Sequence, residues 1–188
     1  EAFEEAFVQA QKALGTPVEG IVTRNYAPAD DKHIQHGERV FYTRENARTI
    51  DTLRAFIDTL ADDLKPYFLA PLLSEASVHN NTAGVFKGFY KDSATGLGKF
   101  GGNGENALQR ILGPIELHRP VLSDFACESC IYQKDAGLLA KELPPLDLVY
   151  LDPPYNQHPY GSNYFMLNVI AENSLLGPLS RVSGIPQG

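Results

Sequence analysis

A short apolar run that ends in an aspartate and two prolines constrains the fold of this sequence more than any other feature. The run is LVYL at residues 148–151, and Asp152-Pro153-Pro154-Tyr155 follows it directly. A short and wholly apolar segment is typical of a strand buried on both faces of a parallel sheet. In open α/β sheets, ligands bind where loops leave the carboxyl ends of the strands. The sequence therefore predicts an α/β fold with a site at residues 152–155.

Helical periodicity dominates the rest of the chain. Residues 2–14 predict an amphipathic helix, and Thr43 is expected to cap a long helix whose apolar stripe reaches Leu64 and which Pro66 ends. Residues 15–40 and 80–104 are rich in turn-forming residues and predict irregular connections. Further helices are predicted at 68–76, at 105–112, ending at 139–143, and at 162–173, where Phe165, Met166, Val169 and Ile170 form the buried side; short strands are predicted at 115–117 and 131–132.

Composition excludes several classes of protein. Apolar residues make up 43% and charged residues 21% of the 188 residues, as in ordinary globular domains. The apolar runs are too short to span a membrane, and two cysteines cannot form a disulfide framework, so a cytoplasmic protein is expected. Cys127 and Cys130 have the spacing of a zinc ligand pair, but no second pair exists, so no metal is expected. The chain begins without methionine and ends in a loop-like segment, so we expect a piece of a longer protein.

The charge distribution leaves nucleic-acid binding open. The net charge of −7 argues mildly against it, yet residues 87–119 contain five basic and three acidic residues. Ordinary surface variation explains this local excess as well as a DNA-facing surface does. Lys87, Lys91 and Lys99 are the candidate phosphate contacts. Asn156 and Tyr164 could also contact DNA, although capping and packing explain them equally well.

The tetrapeptide at residues 152–155 suits methyl transfer to an aromatic amine. Such a nitrogen is a poor nucleophile because its lone pair is delocalised, and it improves when acceptors hold its two hydrogens. The Asp152 carboxylate and the Pro153 carbonyl can be those acceptors, and Pro154 helps to hold them in place. Tyr155 offers a face on which a flipped-out base can stack. The alternative is a proline-stiffened turn with a capping aspartate.

DPPY resembles motif IV of the DNA amino-methyltransferases, and the wider pattern resembles the adenine-specific methylases related to the Dam type. The resemblance covers most of the chain, and its most specific part is the block that contains DPPY. The segments that carry it are NYAP (25–28), FYTRENARTIDTLR (41–54), NNTAGVFKGFYK (80–91), YQKDA (132–136), LVYLDPPYNQHPYGSNYFMLNVIA (148–171) and SGIP (183–186).

This resemblance implies N6 methylation of adenine in DNA by an enzyme with a partial Rossmann-like sheet and S-adenosylmethionine as its cofactor. It implies that Asp152, Pro153, Pro154 and Tyr155 form the catalytic motif. It also implies that Asp135, with Asp152 and Pro153, contacts the cofactor. A largely helical target-recognition insertion is expected at residues 43–112, within a catalytic-domain fragment that spans residues 1–188. DNA is the expected partner, and a restriction endonuclease is a candidate second partner.

One departure from the family pattern leaves alternatives open. The family's glycine-rich cofactor loop follows a strand near the N-terminus, whereas FGGNG at residues 100–104 follows no apolar run. We therefore expect that this segment is not the cofactor loop and that the true loop lies upstream of Glu1. The alternatives are methylation of cytosine N4 or of an amine in RNA or protein, and a non-catalytic DNA-binding fragment.

Overall fold

The computed structural model describes residues 1–102, 105–153, 160–175 and 177–187. The chain divides into two compact units. Unit 1 comprises residues 1–120 and 158–188, and unit 2 comprises residues 121–157. The predicted insertion at residues 43–112 therefore lies within unit 1, together with both terminal segments.

The described residues form helices and connecting loops. Six helices lie in unit 1 and one, α6, lies in unit 2: α1 (Ala2–Leu14), α2 (Ile21–Tyr26), α3 (Arg44–Asp58), α4 (Lys65–Val78), α5 (Glu105–Leu112), α6 (Ala136–Leu139) and α7 (Tyr160–Glu172). The predictions of α1, α4, α5 and α7 are confirmed. Helix α2 lies inside residues 15–40, which were predicted to be irregular. Helix α6 ends at Leu139, the first residue of the segment 139–143 that was predicted to form the end of a helix.

The long helix begins as predicted but ends earlier. Thr43 caps α3, because its hydroxyl oxygen accepts a hydrogen bond from the Asn46 amide at 3.2 Å. Helix α3 ends at Asp58, so the prediction that Pro66 ends it is wrong. Pro66 instead lies in the first turn of α4, where a backbone N–H would have no partner within the helix and proline is well tolerated.

Helix α3 lies at the centre of unit 1 and contacts α1, α2, α4 and α7. An aromatic cluster fills part of the core: the rings of Tyr26, Phe41 and Phe165 lie 5.8–5.9 Å apart, centroid to centroid. Burying an aromatic side chain of this kind contributes about 1.5–3 kcal/mol to stability. Phe165 comes from α7, whose buried side is the predicted one and is formed by Phe165, Met166, Val169 and Ile170.

The predicted strands are not formed by the described residues, where the only β pairing consists of two isolated bridges, Lys91 with Gly98 and Leu179 with Pro186. At residues 115–117, the Ile115 amide donates to the Asn46 side chain at 2.9 Å, which satisfies a group that a neighbouring strand would otherwise satisfy. Ile131 is 94% exposed in unit 2.

The segment at residues 148–151 is also not a strand here. Its four apolar side chains are exposed, with Leu148 at 87% and Leu151 at 81%. A buried strand needs partner strands on both edges and packing on both faces. The described part of the chain supplies neither, so the secondary structure of the described residues is mostly helical and the predicted sheet stays a prediction.

Candidate active site and nucleic-acid interface

The DPPY motif begins on an exposed loop of unit 2. Asp152 and Pro153 are exposed, and the Asp152 carboxylate has no hydrogen-bond partner among the described residues. Pro154, Tyr155 and Asn156 lie outside the described residues. The predicted acceptor at position 152 is therefore accessible to a ligand, because no helix cap or ion pair in the described part of the chain occupies it.

Asp135 has a structural role in unit 2. It caps α6, and one carboxylate oxygen accepts the Leu138 amide at 2.9 Å. Its side chain is exposed, so the second oxygen remains available to a ligand. No hydrogen bond joins Asp135 to Asp152 or Pro153 within the described ranges, and their joint role in cofactor binding stays a prediction.

Lys91 and Lys99 lie on the two arms of one tight turn in unit 1, residues 90–99, which we call the lysine turn. The Asp92 amide donates to the Leu97 carbonyl at 2.8 Å, and the Lys99 amide donates to the Tyr90 carbonyl at 3.0 Å. Gly96 has φ +70°, a left-handed conformation that glycine adopts without steric cost. Hydrogen bonds from the Thr95 amide and other groups of the turn lower the pKa of Asp92.

Lys87 and Tyr164 come close through their neighbours in sequence. The Phe86 amide donates to the Asn163 carbonyl at 2.8 Å. Lys87 and Tyr164, the two predicted DNA contacts, are the next residues in sequence after Phe86 and Asn163. The Tyr164 ring stacks on Tyr160, with centroids 5.3 Å apart, and Tyr164 remains 41% exposed. The structure thus places an aromatic pair at the beginning of α7, close to the backbone that carries Lys87.

Asn81 holds this part of unit 1 together, although we predicted no role for it. Its side chain is fully buried; its amide donates to the carbonyls of Val40 at 2.7 Å and Lys99 at 2.8 Å, and its oxygen accepts the Gly101 amide at 2.9 Å. The sequence signal was two adjacent asparagines between a helix and a glycine-rich segment, where buried side-chain amides commonly replace backbone partners.

The same contacts bear on the glycine-rich segment at residues 100–104. Both Lys99 and Gly101 are hydrogen-bonded to the Asn81 side chain, and no strand precedes them within the described residues. The expectation that the segment is not the cofactor loop stays a prediction. Asn103 and Gly104 lie outside the described residues.

Two segments that carry the family resemblance, NYAP (25–28) and SGIP (183–186), meet in unit 1. The Tyr26 hydroxyl donates to the Gly184 carbonyl at 2.8 Å, and Arg39 donates to the Ser180 carbonyl at 3.1 Å. Burial raises the pKa of Tyr26 to about 12, so its phenol stays protonated and keeps this hydrogen bond at neutral pH. The resemblance at these positions therefore has a structural basis in packing.

Cys127 and Cys130 are free thiols, and both are exposed. Where the structure is described, no group of three or more histidine, cysteine, aspartate or glutamate residues could hold a metal ion. Across the same residues, every helix is too short or too polar to cross a lipid bilayer.

Comparison with known proteins identifies the class to which these features relate. Residues 120–174, which include DPPY, match the family described as D12 class N6 adenine-specific DNA methyltransferase. Type II methyltransferase M.NlaIII of Neisseria lactamica is 32% identical over 162 residues, which are 82% of this chain and 42% of that protein. Type II methyltransferase M.CviAII of Paramecium bursaria Chlorella virus 1 is 30% identical over 175 residues, which are 90% of this chain and 45% of that protein.

The chain is therefore related to the DNA methyltransferases. Within them it resembles the D12 class of N6 adenine-specific enzymes, as the DPPY block indicated. Modification methylase LlaI of Lactococcus lactis subsp. lactis is 29% identical over 168 residues, 83% of this chain and 25% of that protein. The chain spans less than half the length of these curated relatives. No solved structure matches it.

Proposed function

We propose that the full-length protein transfers a methyl group from S-adenosylmethionine to the N6 amino group of adenine in DNA. The observation that carries this proposal is the family match over residues 120–174, because it centres on the one motif whose chemistry suits an aromatic amine. The relatives are named type II methyltransferases and modification methylases, which agrees with a modification role. A restriction endonuclease with the same target is the partner that such a role would require.

The residues of the motif have separate roles in this proposal. The Asp152 carboxylate and the Pro153 carbonyl accept hydrogen bonds from the two amino hydrogens, which keeps the nitrogen lone pair directed at the methyl group. Pro154 restricts the backbone, so that these acceptors need little reorganisation when the base arrives. Tyr155 stacks on the extruded adenine. Asp152 would also stabilise the positive charge that develops on the amino nitrogen as it accepts the methyl group, and the nitrogen would then release one of its two hydrogens as a proton to solvent, which leaves a neutral methylated amine.

The cofactor would be held by residues whose chemistry fits it. S-adenosylmethionine, when bound, supplies an electrophilic methyl group. Asp135 and Asp152 both present exposed carboxylate oxygens, which are suitable acceptors for amino and hydroxyl groups. One carboxylate oxygen of Asp135 accepts the hydrogen bond that caps α6, and the other remains available as an acceptor. We place the cofactor's adenine beside Asp135 and its methyl group beside Asp152 and Pro153.

The full-length protein would also complete the fold. We propose that residues 148–151 form a buried strand of a Rossmann-like parallel sheet there. The support is the exposure of all four apolar side chains in this segment, a surface that a soluble domain rarely leaves open. DPPY would then follow the carboxyl end of that strand, where α/β proteins bind ligands.

DNA contacts are proposed on unit 1, within and beside residues 43–112. Lys87, Lys91 and Lys99 would contact phosphates, and Tyr164 would contact DNA on the same unit. Asn156, which belongs to unit 2 and lies outside the described residues, is proposed separately as a DNA contact. The exposed Tyr160–Tyr164 pair supports this placement, because aromatic side chains provide stacking surfaces for unpaired bases.

Substitution of Asp152 tests the function directly. In the full-length protein, Asp152→Ala should lower the rate of adenine methylation about 100-fold or more, because one well-placed charged acceptor is lost. Asp147→Ala is the matched control: it removes an exposed carboxylate from the same segment and should retain the wild-type rate. Methyl incorporation into duplex DNA, followed by nucleoside analysis of the product, measures both the rate and the acceptor.

The product also separates the alternatives. Methylcytosine in place of methyladenine would reassign the acceptor, and a wild-type protein that binds DNA without forming product would be a non-catalytic binding protein. An Asp152→Ala rate within twofold of wild type, at normal expression, would remove Asp152 from the mechanism.

A further inference from the structure

A small groove in unit 1 brings together two cations that are 90 positions apart in the sequence. It has a volume of about 210 Å³ and is formed by three segments: the turn at Gly37 and Glu38, the lysine turn, and the C-terminal residues Arg181 and Val182. Lys91 and Arg181 are its two cationic residues, and we call it the Lys91–Arg181 groove. Arg181 and Val182 lie outside residues 87–119, the basic stretch that the sequence indicated.

Lys91 is held in place within the groove. Its ammonium group lies 4.9 Å from the centroid of the Phe89 ring, which is a cation–π distance. Phe89 in turn packs edge-on against the buried Phe41, with centroids 5.2 Å apart. A contact with an anchored ring limits the freedom of the lysine side chain, which lowers the entropy lost when it binds a ligand.

Arg181 projects from a turn that is fixed to the core on both sides. Arg39 donates to the Ser180 carbonyl at 3.1 Å, and the buried Tyr26 donates to the Gly184 carbonyl at 2.8 Å. Within the turn, the Gly184 amide donates to the Ser180 carbonyl at 3.0 Å. Arg181 therefore has an exposed side chain on an anchored backbone.

The carboxylate that lines the groove is already engaged. The two oxygens of Glu38 accept the amides of Ala29 at 2.8 Å and Gln35 at 2.6 Å. Within the described ranges, neither Lys91 nor Arg181 forms an ion pair. The charged residues of the groove are thus two cations, neither of them in an ion pair, and one carboxylate that two backbone amides hold in place, which leaves a local excess of one positive charge on a chain whose net charge is −7.

We propose that the Lys91–Arg181 groove binds the phosphate backbone of duplex DNA. This inference rests on the proposed function, because it takes DNA as the substrate, and it adds Arg181 to the DNA-binding surface. A duplex presents one negative charge about every 1.7 Å along its axis, so two cations on a rigid surface can contact neighbouring phosphates. The guanidinium of arginine can bind a phosphate through two parallel hydrogen bonds.

Charge removal in the full-length protein tests the groove. Arg181→Gln and Lys91→Gln should each lower the log–log slope of DNA affinity against salt by about one, and the double variant by about two. Each single change should weaken binding about five- to tenfold near 0.1 M salt. Lys12→Gln is the matched control: it removes one cation from the exposed face of α1, outside the groove, and should leave the slope unchanged.

Methylation kinetics distinguish this proposal from the proposed function. A phosphate contact holds the DNA equally in the ground state and in the transition state, so Arg181→Gln should raise KM for DNA and leave kcat at saturating DNA unchanged. If the wild-type protein forms no product but Arg181→Gln still flattens the salt dependence, the function is wrong and the groove stands. If the wild type methylates adenine and the folded double variant has the wild-type slope, the groove does not contact phosphate.

Discussion

Asn81 is a fully buried amide that connects three separate segments of unit 1. Its side chain bonds to Val40, to Lys99 and to Gly101, which lie 41, 18 and 20 positions away in sequence. Its own backbone amide donates to the Phe41 carbonyl at 2.8 Å. Each bond satisfies a backbone group of a loop, and buried loop groups without partners are costly. This one side chain therefore fixes the base of the lysine turn.

Replacing Asn81 should destabilise the protein strongly. Asn81→Ala leaves two carbonyls and one amide without their partner, and we expect a loss of about 2–4 kcal/mol in unfolding free energy, measured by urea denaturation. Asn168→Ala, on the exposed side of α7, should change stability by less than about 0.5 kcal/mol. Equal losses for the two variants would show that the Asn81 network contributes no specific stability.

Residue roles differ in how far the sequence reveals them. A role for Asp152 could be predicted because the residues that suggest it, Asp152 to Tyr155, are adjacent in the sequence, and that role remains a proposal. Asn81 could not, because its partners come from positions that only folding brings together. Asp135 has a capping role in the structure, and its cofactor role remains a proposal.

At the scale of elements, the helices follow from local signals. Helix α3 combines a threonine cap with a stripe of apolar residues at helical spacing, and its buried side includes Ala47, Ile50, Leu53 and Ile57. Periodicity did not reveal where α3 ends, because the stripe continues into Leu60 while the backbone turns at Thr59. The C-terminal end depends on how α4 packs against α3, which is a tertiary contact.

The contribution of the α3 cap to the free energy of unfolding can be measured. Thr43→Ala removes the acceptor for the Asn46 amide and should lower unfolding free energy by about 1 kcal/mol. Thr49→Ala lies in the same helix, away from its ends, and should be neutral or slightly stabilising because alanine has the higher helix propensity. Thermal and urea unfolding of the two variants provide the comparison. A Thr43→Ala protein as stable as wild type would show that water replaces the cap without cost.

At the scale of the whole molecule, the two units differ in how well they are packed. Unit 1 contains the buried aromatic and aliphatic core, whereas the described apolar residues of unit 2 include the exposed Val121, Phe125, Ile131 and Leu148. A segment that exposes this much apolar area gains little from burial and cannot be the stable part of a fold. The proposed sheet would bury it.

Hydrogen exchange tests that proposal. In the 188-residue chain, amides at 148–151 should exchange rapidly, since no backbone hydrogen bond joins them to other described residues. In the full-length protein the same amides should exchange about 100-fold more slowly or slower still, because a central strand opens only with its sheet. Amides in the middle of α3 serve as the internal reference and should be protected in both proteins. Rapid exchange at 148–151 in the full-length protein would exclude a buried strand there.

The sequence by itself predicted helices α1, α4, α5 and α7 and the beginning of α3, and the chemistry that it suggests for the motif stays a prediction. Helix periodicity and capping act within a few residues, and DPPY places a carboxylate, a rigid carbonyl and an aromatic ring next to one another in the chain. Only the tertiary structure decided which loops meet. It formed the hydrogen bonds of Asn81, brought Tyr26 to Gly184, and placed Lys91 and Arg181 along the same groove. The physical reason is the range of the interactions. A strand or a groove needs partners from distant positions. An apolar run such as LVYL indicates that the segment is buried in the folded protein, but it does not indicate which part of the protein covers it.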